Sequence, residues 1–239
     1  MYQRHFKRRH SPIHSARNRR QVDPRFLVQK ASPQAPEEYV SKHTFADFQI
    51  HDQLQQNISA RGYVATTPIQ DQAIGPILAG RDVVGVANTG TGKTAAFLIP
   101  LLDKIYRDPR QKLLIVAPTR ELAAQINEEC KAFGRGLNVF STLCIGGVGI
   151  RQQIESLRRN PNIVIGTPGR LRDLNKQGRL NFGRYANIVL DEVDRMLDMG
   201  FIRDVEFIVE ALPQKRQSLF FSATIPASVT RVMDSFLRN

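Results

Sequence analysis

The feature that most restricts the fold is a regular alternation of short apolar runs with longer amphipathic segments. The apolar runs predict six strands, at 82–87, 113–117, 139–145, 163–166, 188–190 and 219–221. The amphipathic segments predict helices at 48–62, 68–78, 93–106, 120–133, 149–158, 169–176, 194–212 and 227–237. Short, continuously apolar strands separated by helices are typical of a parallel sheet covered on both faces, so we predict an α/β fold.

The turn after the first predicted strand is rich in glycine and leads into a predicted helix, with the sequence ANTGTGKT at residues 87–94. Glycine lets the backbone wrap around phosphate oxygens and point N–H groups at them. We therefore predict a nucleotide-phosphate site that consists of Thr89, Gly90, Thr91, Gly92, Lys93 and Thr94. The Lys93 ammonium would neutralise phosphate charge, and the Thr94 hydroxyl would bind Mg²⁺. Ala87 stands where the strict motif has glycine, and a purely structural turn is the alternative.

The predicted strand at 188–190 ends in two adjacent carboxylates, Asp191 and Glu192. Two acids at the end of a buried strand pack poorly unless they serve a cation or a reaction. Asp191 suits the role of holding Mg²⁺, and Glu192 suits the role of orienting and deprotonating an attacking water. Both are candidate catalytic residues together with Lys93. The alternative is an acidic helix N-terminus, where carboxylates are favoured.

The other predicted strands also end in polar turns. In an open parallel sheet, ligands bind at the edge formed by the carboxyl ends of the strands. The polar turns at this edge are Pro118-Thr119-Arg120-Glu121, Gly146-Gly147, Thr167-Pro168-Gly169-Arg170 and Ser222-Ala223-Thr224. Ordinary turn chemistry explains each of them alone. Together with the two carboxylates, they indicate one shared site.

Composition excludes several classes of function. All five histidines lie at or before position 51, so the rest of the chain holds neither a histidine-based catalytic site nor a histidine metal site. Cys130 and Cys144 are predicted to be buried free thiols in a reducing compartment, and we expect a cytoplasmic location. The chain has no apolar run of membrane-spanning length and no apolar signal-peptide core, so we expect neither a membrane span nor secretion.

Residues 1–44 are predicted to form a disordered basic tail ahead of a domain at 45–239. This segment has ten Lys/Arg and three Asp/Glu, and the whole chain carries a net charge of +12. Sparse apolar residues and several prolines argue against a packed structure. We favour a nucleic-acid-binding arm, and the alternatives are a solubilising tail and an organellar targeting peptide.

Taken together and in their order along the chain, these motifs resemble the N-terminal helicase domain of DEAD-box RNA helicases. The resemblance covers residues 45–239. Asp191-Glu192-Val193-Asp194 resembles the motif that names the family, with Val193 in place of alanine, and residues 87–94 resemble its phosphate loop. The resemblance implies a RecA-like P-loop NTPase fold with ATP and Mg²⁺ as cofactors. It also implies binding to single-stranded RNA through the backbone, and ATP hydrolysis that remodels RNA duplexes.

The resemblance gives a role to each remaining motif. Residues 43–71 would form the Q motif, in which Gln70 reads the adenine edge and Phe45 stacks on the adenine ring. The implied RNA-binding residues are Pro118, Thr119, Arg120, Gly146, Gly147, Thr167, Pro168, Gly169 and Arg170. The residues implied to couple hydrolysis to strand separation are Asp194, Ser222 and Thr224.

The family also has a second, similar domain that supplies arginine side chains to the phosphates and the other half of the RNA site. We therefore expect this chain to be the nucleotide-binding half of such an enzyme. On its own it would bind ATP and RNA weakly and hydrolyse ATP slowly, unless a second helicase domain acts in trans. The alternatives are a non-catalytic RNA-binding module and a P-loop small-molecule kinase, and the kinase would leave Gln70 unexplained.

Overall fold

The structure is a computed structural model that describes residues 39–237, so residues 1–38 of the predicted tail lie outside the described part. The strands are β1 (Val83–Val86), β2 (Leu113–Val116), β3 (Ser141–Cys144), β4 (Ile163–Gly166), β5 (Asn187–Leu190) and β6 (Gln217–Ser222). The helices are α1 (Asp52–Ala60), α2 (Pro68–Leu78), α3 (Lys93–Arg107), α4 (Arg120–Phe133), α5 (Ile150–Arg158), α6 (Pro168–Lys176), α7 (Val193–Asp198), α8 (Ile202–Glu210) and α9 (Ala227–Phe236). Within residues 39–237, no helix has the length and apolar character that crossing a membrane requires.

The six strands form one sheet in the order β1-β6-β5-β2-β4-β3, and every neighbouring pair is parallel. Parallel neighbours need long crossover connections, and the helices between the strands provide them. The predicted α/β fold is therefore confirmed. All strand-to-helix turns lie at one edge of the sheet, which we call the carboxyl edge, and all helix-to-strand connections lie at the opposite amino edge.

Side chains from alternate strand positions fill two separate cores, one on each face of the sheet. Leu113 and Ile115 belong to the cluster that contains residues of α1 to α4. Leu114 and Val116 belong to the cluster that contains residues of α6 to α9. In β6, Phe220 and Phe221 follow the same rule and are each fully buried. The loss of either ring would cost about 3–5 kcal/mol of stability. Because both cores pack against the same sheet, they fix the position of its carboxyl edge.

The predicted helix at 194–212 is two helices in the structure. Gly200 has φ +80°, a left-handed conformation, and separates α7 from α8. The backbone N–H groups of Gly200 and Phe201 donate to carbonyls of the last turn of α7, which is a common way to end a helix at glycine. The apolar periodicity continues across this break, and for that reason the sequence pattern did not reveal it.

The folded unit begins earlier in the chain than the predicted boundary. The compact unit starts at Tyr39, so residues 39–44 pack with the domain instead of belonging to the tail. Thr44 forms an isolated antiparallel bridge with Ala65, and the Tyr39 hydroxyl donates to Asp71. The helix predicted from residue 48 begins at Asp52 instead, because the backbone and side chain of His51 cap its first turn.

Candidate functional site

The glycine-rich turn between β1 and α3 wraps over the amino end of α3. Gly92 precedes the helix with φ +90°, a conformation that glycine adopts without steric cost. A Cβ atom at Gly92 would lie 2.4 Å from Nε2 of Gln70, so space as well as conformation requires glycine here. The first N–H groups of a helix have no partner within it, and they favour an anion. The turn can therefore hold a phosphate group.

Two opposite charges, those of Lys93 and Asp191, are buried beside this turn. Lys93 is 6% exposed and Asp191 is 2% exposed. The Lys93 Nζ atom lies 4.0 Å from Oδ1 of Asp191, and neither atom has a hydrogen-bond partner in the described part of the chain. Unpartnered buried polar atoms are costly, so both atoms suit a ligand that completes their bonding. The ammonium suits a phosphate oxygen, and the carboxylate suits a cation or a water bound to it.

The environment of Asp191 disfavours its charge. Burial raises the pKa of Asp191 to about 6, although the nearby Lys93 charge favours the ionised form. The position of the carboxylate is set by the sheet, because the Asp191 N–H donates to the Val116 carbonyl of the neighbouring strand at 3.0 Å. A divalent cation bound there would return this group to its ionised form.

Glu192 has an unusual backbone conformation for a residue with a side chain. Its φ is +52°, which costs about 1–2 kcal/mol for a non-glycine residue. Its side chain is 8% exposed, and Oε2 accepts a hydrogen bond from Arg195 Nη1 at 3.2 Å. Strain of this kind is concentrated at functional sites. The role of Arg195 as the partner of Glu192 was not predicted, although a spacing of three residues on a helix places the two side chains together.

The loop and the two acids open onto a cleft with a volume of about 240 Å³. The predicted residues that line it are Thr89, Gly90, Gly92, Lys93, Thr94, Asp191 and Glu192. The remaining lining residues were not predicted as site residues: Tyr63, Ala95, Leu122, Gln125 and Glu129. Gln125 and Glu129 are four residues apart in α4, so they share the helix face that borders the cleft. Thr91 does not line the cleft, and its hydroxyl donates to the Asn88 carbonyl at 2.8 Å.

Gln70 connects the predicted Q motif to the phosphate turn. Its Nε2 atom donates to the Gly92 carbonyl at 3.1 Å, and its Oε1 atom accepts from the Thr67 N–H at 2.9 Å. The side chain is fully buried, so in this arrangement it positions the turn. Direct contact with adenine stays a prediction. The same holds for Phe45, which is only 4% exposed and packs edge-to-face on Tyr63, so stacking on a base would require its ring to be uncovered.

The three predicted coupling residues are brought together. Oδ2 of Asp194 accepts hydrogen bonds from both the N–H and the hydroxyl of Thr224, each at 2.9 Å. The Ser222 hydroxyl accepts from the Asp194 N–H at 3.2 Å and donates to the Thr224 carbonyl at 2.8 Å. These contacts join the start of α7 to the turn after β6, directly beside Asp191 and Glu192. Val193, where the family has alanine, is fully buried in the core and contributes no polar group to the site.

The turns predicted to bind RNA contact one another at the same carboxyl edge. The Arg120 guanidinium lies so close to Gly147 that a Cβ there would be 2.0 Å from Nη1, and Gly146 borders it as well. Arg170 Nη1 donates to the Val148 carbonyl at 3.3 Å, which links the turn after β4 to the turn after β3. RNA binding by these residues stays a prediction.

The other five residues of these turns that are predicted to bind RNA lie where helices begin. The Thr119 hydroxyl accepts from the Leu122 N–H at 3.2 Å and caps α4. Thr167 precedes α6, and Pro168 is its first residue, a position that suits proline. Pro118 directly precedes Thr119, and Gly169 lies in the first turn of α6. Their local structural roles and their predicted binding roles are compatible, because the same turns form the carboxyl edge.

The order of strands divides the site into two neighbouring halves. The phosphate turn, Asp191–Glu192 and Ser222–Thr224 follow β1, β5 and β6, which are adjacent in the sheet. The turns with Arg120, Gly146–Gly147 and Arg170 follow β2, β3 and β4, which are also adjacent. Among the described residues, no group of three or more His, Cys, Asp or Glu side chains could hold a metal ion. Mg²⁺ commonly uses one carboxylate with phosphate oxygens and water, so Asp191 and Thr94 fit that ion.

Comparison with known proteins relates this chain to a family of helicases. The sequence profile of the DEAD/DEAH box helicase family matches residues 67–232. The chain is 45% identical over 197 residues to the DEAD-box ATP-dependent RNA helicase CshA of Bacillus licheniformis, a match that covers 82% of this chain and 40% of that protein. It is 44% identical over 195 residues to the protein of the same name from Bacillus subtilis, with 81% and 40% covered. The chain thus spans about 40% of the length of these curated relatives.

Solved structures give the same result for the fold. A DEAD box protein from the hyperthermophile Methanococcus jannaschii superimposes with a TM-score of 0.79 at 36% identity, over 84% of this chain and 55% of that one. A hypothetical ATP-dependent RNA helicase from Sulfolobus tokodaii superimposes with a TM-score of 0.74 at 36% identity, over 80% of this chain and 56% of that one.

Proposed function

The chain belongs to the DEAD/DEAH box helicase family, and on that premise we propose that it binds ATP and RNA as the nucleotide-binding domain of an ATP-dependent RNA helicase. One observation carries the proposal: beside a glycine-rich helix start, Lys93 Nζ and Asp191 Oδ1 are buried 4.0 Å apart, and neither has a hydrogen-bond partner among residues 39–237. A phosphate with its cation is the ligand class that would give both atoms a partner.

Each side chain of the cleft has a role in this proposal. Lys93 binds phosphate oxygens as a point charge, and the turn that contains Gly92 donates its N–H groups. Asp191 and Thr94 would hold Mg²⁺, which supplies charge neutralisation at the phosphates when it is bound. Glu192 accepts a hydrogen bond from the attacking water and takes its proton, and Arg195 keeps the carboxylate in place.

The second half of the carboxyl edge supports the RNA part of the proposal. Arg120 and Arg170 lie in turns built from threonine and glycine, groups that suit phosphates and sugars better than base edges. Binding is therefore proposed to be independent of RNA sequence. Full turnover is proposed to use a second helicase domain, as in the family, because arginine side chains from such a domain raise phosphoryl-transfer rates by roughly 10³–10⁵.

We place the protein in the cytoplasm as part of the same proposal. Cys130 and Cys144 are both buried and free, and burial raises the pKa of each thiol to about 12. Unpaired, unreactive thiols suit a reducing compartment.

The test compares ATP hydrolysis, with and without single-stranded RNA, for the chain and for Glu192→Gln, together with binding of a fluorescent adenine nucleotide. We expect the chain to bind the nucleotide, Lys93→Ala to abolish this binding, and the exposed control Lys131→Ala to retain it. RNA-stimulated hydrolysis lost in Glu192→Gln would show that the chain completes the site without another domain. Absence of nucleotide binding by the wild-type chain would overturn the proposal in favour of a non-catalytic RNA-binding module.

A further inference from the structure

A second polar pocket lies at the amino edge of the sheet, opposite the cleft. Its lining includes Lys112, Asn160, Pro161, Arg179, Arg184 and Tyr185. Lys112 comes directly before β2, Pro161 precedes β4 by two residues, and Tyr185 precedes β5 by two residues. These three strands are neighbours in the order β5-β2-β4, so connections that are distant in sequence meet here.

The positive charges of this pocket are not balanced by carboxylates. Lys112 is 8% exposed, and its Nζ donates to the carbonyls of Asn160 and Pro161 at 2.9 and 2.8 Å. Arg184 Nη2 donates to the side-chain oxygen of Asn160 at 2.9 Å. All these acceptors are neutral. No acid is among the described residues that line the pocket, and burial, together with the nearby charge of Arg184, lowers the pKa of Lys112.

Lys112 has a structural role that explains its own position. Asn160 has φ +55° and, like Pro161, lies in the connection between α5 and β4, outside both elements. The Lys112 ammonium gives both carbonyls of this connection a hydrogen-bond partner. That role needs only one cation, so it does not explain why the pocket also contains Arg179 and Arg184.

The chain around the pocket extends the same charge. The segments 107–112, 158–162 and 176–184 enter these three strands and together contain eight Lys/Arg and one Asp. Two of these cations have a carboxylate partner: Arg110 pairs with Asp108 at 2.9 Å, and Arg107 pairs with Asp103 at 2.6 Å. Cations without counter-ions repel one another and attract a multivalent anion. The pocket itself contains three cations, Lys112, Arg179 and Arg184, and no acid among the described residues that line it.

We propose that this pocket binds a phosphate group of an RNA backbone, as a second RNA contact separate from the carboxyl edge. Guanidinium groups match phosphate oxygens in pairs, which favours phosphate as the ligand. The pocket offers no open aromatic face to a base, because Tyr185 is 6% exposed, so the contact reads no sequence. The three strands that begin at this pocket have four residues each, which span about 13 Å. The pocket therefore contacts a different segment of the RNA from the one at the carboxyl edge.

The proposal is tested with the full chain, without nucleotide, by titrating a fluorescent single-stranded RNA at several salt concentrations. Arg179→Gln/Arg184→Gln should weaken binding about tenfold at low salt and reduce the slope of log affinity against log salt by about 0.7 for each lost phosphate contact. The matched control is Arg81→Gln/Arg231→Gln, which removes the same charge from exposed positions elsewhere. Thermal unfolding by circular dichroism verifies that both variants fold.

Each result of the RNA titration either supports or overturns the proposed phosphate contact. A loss confined to the pocket variant, with a smaller salt slope, supports the proposal. Equal changes in the pocket variant and the control would mean that only net charge matters, and would overturn it. Loss of inorganic phosphate binding or of polyglutamate binding by the pocket variant, with RNA affinity unchanged, would assign the pocket to a small anion or an acidic peptide instead. Because no nucleotide is present, failure of ATP binding at the cleft would not affect this result.

Discussion

The Nζ atom of Lys93 lies 4.0 Å from Oδ1 of Asp191, and both atoms are buried without a hydrogen-bond partner among the described residues. The sheet and the glycine-rich turn hold the pair apart, so the domain without ligand carries an incompletely compensated charge. An arrangement that favours a ligand in this way lowers the stability of the empty protein. The consequence is measurable as a pH dependence of unfolding.

Asp191→Asn should change how stability depends on pH. Burial raises the pKa of Asp191 to about 6 in the folded domain, against 3.8 as the ordinary value. Between these values the folded state keeps a proton that the unfolded chain releases, so wild-type stability falls as pH rises from about 4 to 6. From pH 4 to pH 7 the variant should therefore gain about 2–3 kcal/mol relative to wild type. Urea unfolding without nucleotide or divalent cations measures this difference, with the exposed Asp198→Asn as control. Parallel pH profiles for variant and wild type would contradict it.

Gly147→Ala should disturb the carboxyl edge far more than Gly149→Ala. Gly147 has φ +74°, and a Cβ there would lie 2.0 Å from Nη1 of Arg120. The backbone strain alone costs about 1–2 kcal/mol, and Arg120 must also move. Gly149 is the matched control, because it has a negative φ and no atom within 4 Å of an added Cβ. We expect a lower melting temperature and weaker RNA binding for Gly147→Ala only, measured by circular dichroism and fluorescence anisotropy.

Much of this edge could be predicted from the sequence, because each of its turns follows a strand with a continuous apolar run. The bounds predicted for β4, α2 and α4 agree with the structure, since apolar periodicity and flanking turn residues set them locally. The strand order, with β6 inserted between β1 and β5, could not be read from local patterns. Tyr63 as a cleft residue was missed for a similar reason, because only tertiary packing brings it beside α4.

Thr224→Val should weaken the link between the start of α7 and the turn after β6. The substitution keeps the shape of the side chain and removes the hydroxyl that donates to Asp194 at 2.9 Å. A loss of about 1–2 kcal/mol in stability is expected for a hydrogen bond to a charged group at an exposed site. Thr230→Val removes a longer exposed bond, of 3.3 Å to a carbonyl, and should change stability less. Nucleotide affinity should stay unchanged in both variants, since neither residue lines the cleft; a selective loss of nucleotide binding in Thr224→Val would contradict this assignment.

Asp71 joins residues 39–43 to α2, a contact that the sequence pattern did not indicate. Its carboxylate accepts from the Tyr39 hydroxyl at 2.6 Å and the Lys42 N–H at 2.9 Å, and it contacts His43 Nδ1 at 2.6 Å. Burial opposes its charge, but these donors outweigh burial and lower the pKa of Asp71 to about 2. The ionised carboxylate therefore holds the segment that leads into Phe45.

Asp71→Asn should release this segment at neutral pH, because an amide cannot accept from all three groups. In the wild type, a lowered folded pKa means that the stabilisation is complete above about pH 4 and is lost as pH falls toward 2. Hydrogen exchange at the Lys42 amide reports the contact directly, since that N–H donates to Asp71. Relative to the intrinsic exchange rate at each pH, we expect the Lys42 amide to lose its protection in Asp71→Asn at pH 7, and in the wild type only near pH 2. Asp108→Asn removes a carboxylate of equally low pKa at the amino edge and should leave the Lys42 amide protected. Unchanged Lys42 exchange in Asp71→Asn would mean that the backbone bridge of Thr44 with Ala65 suffices to hold the segment.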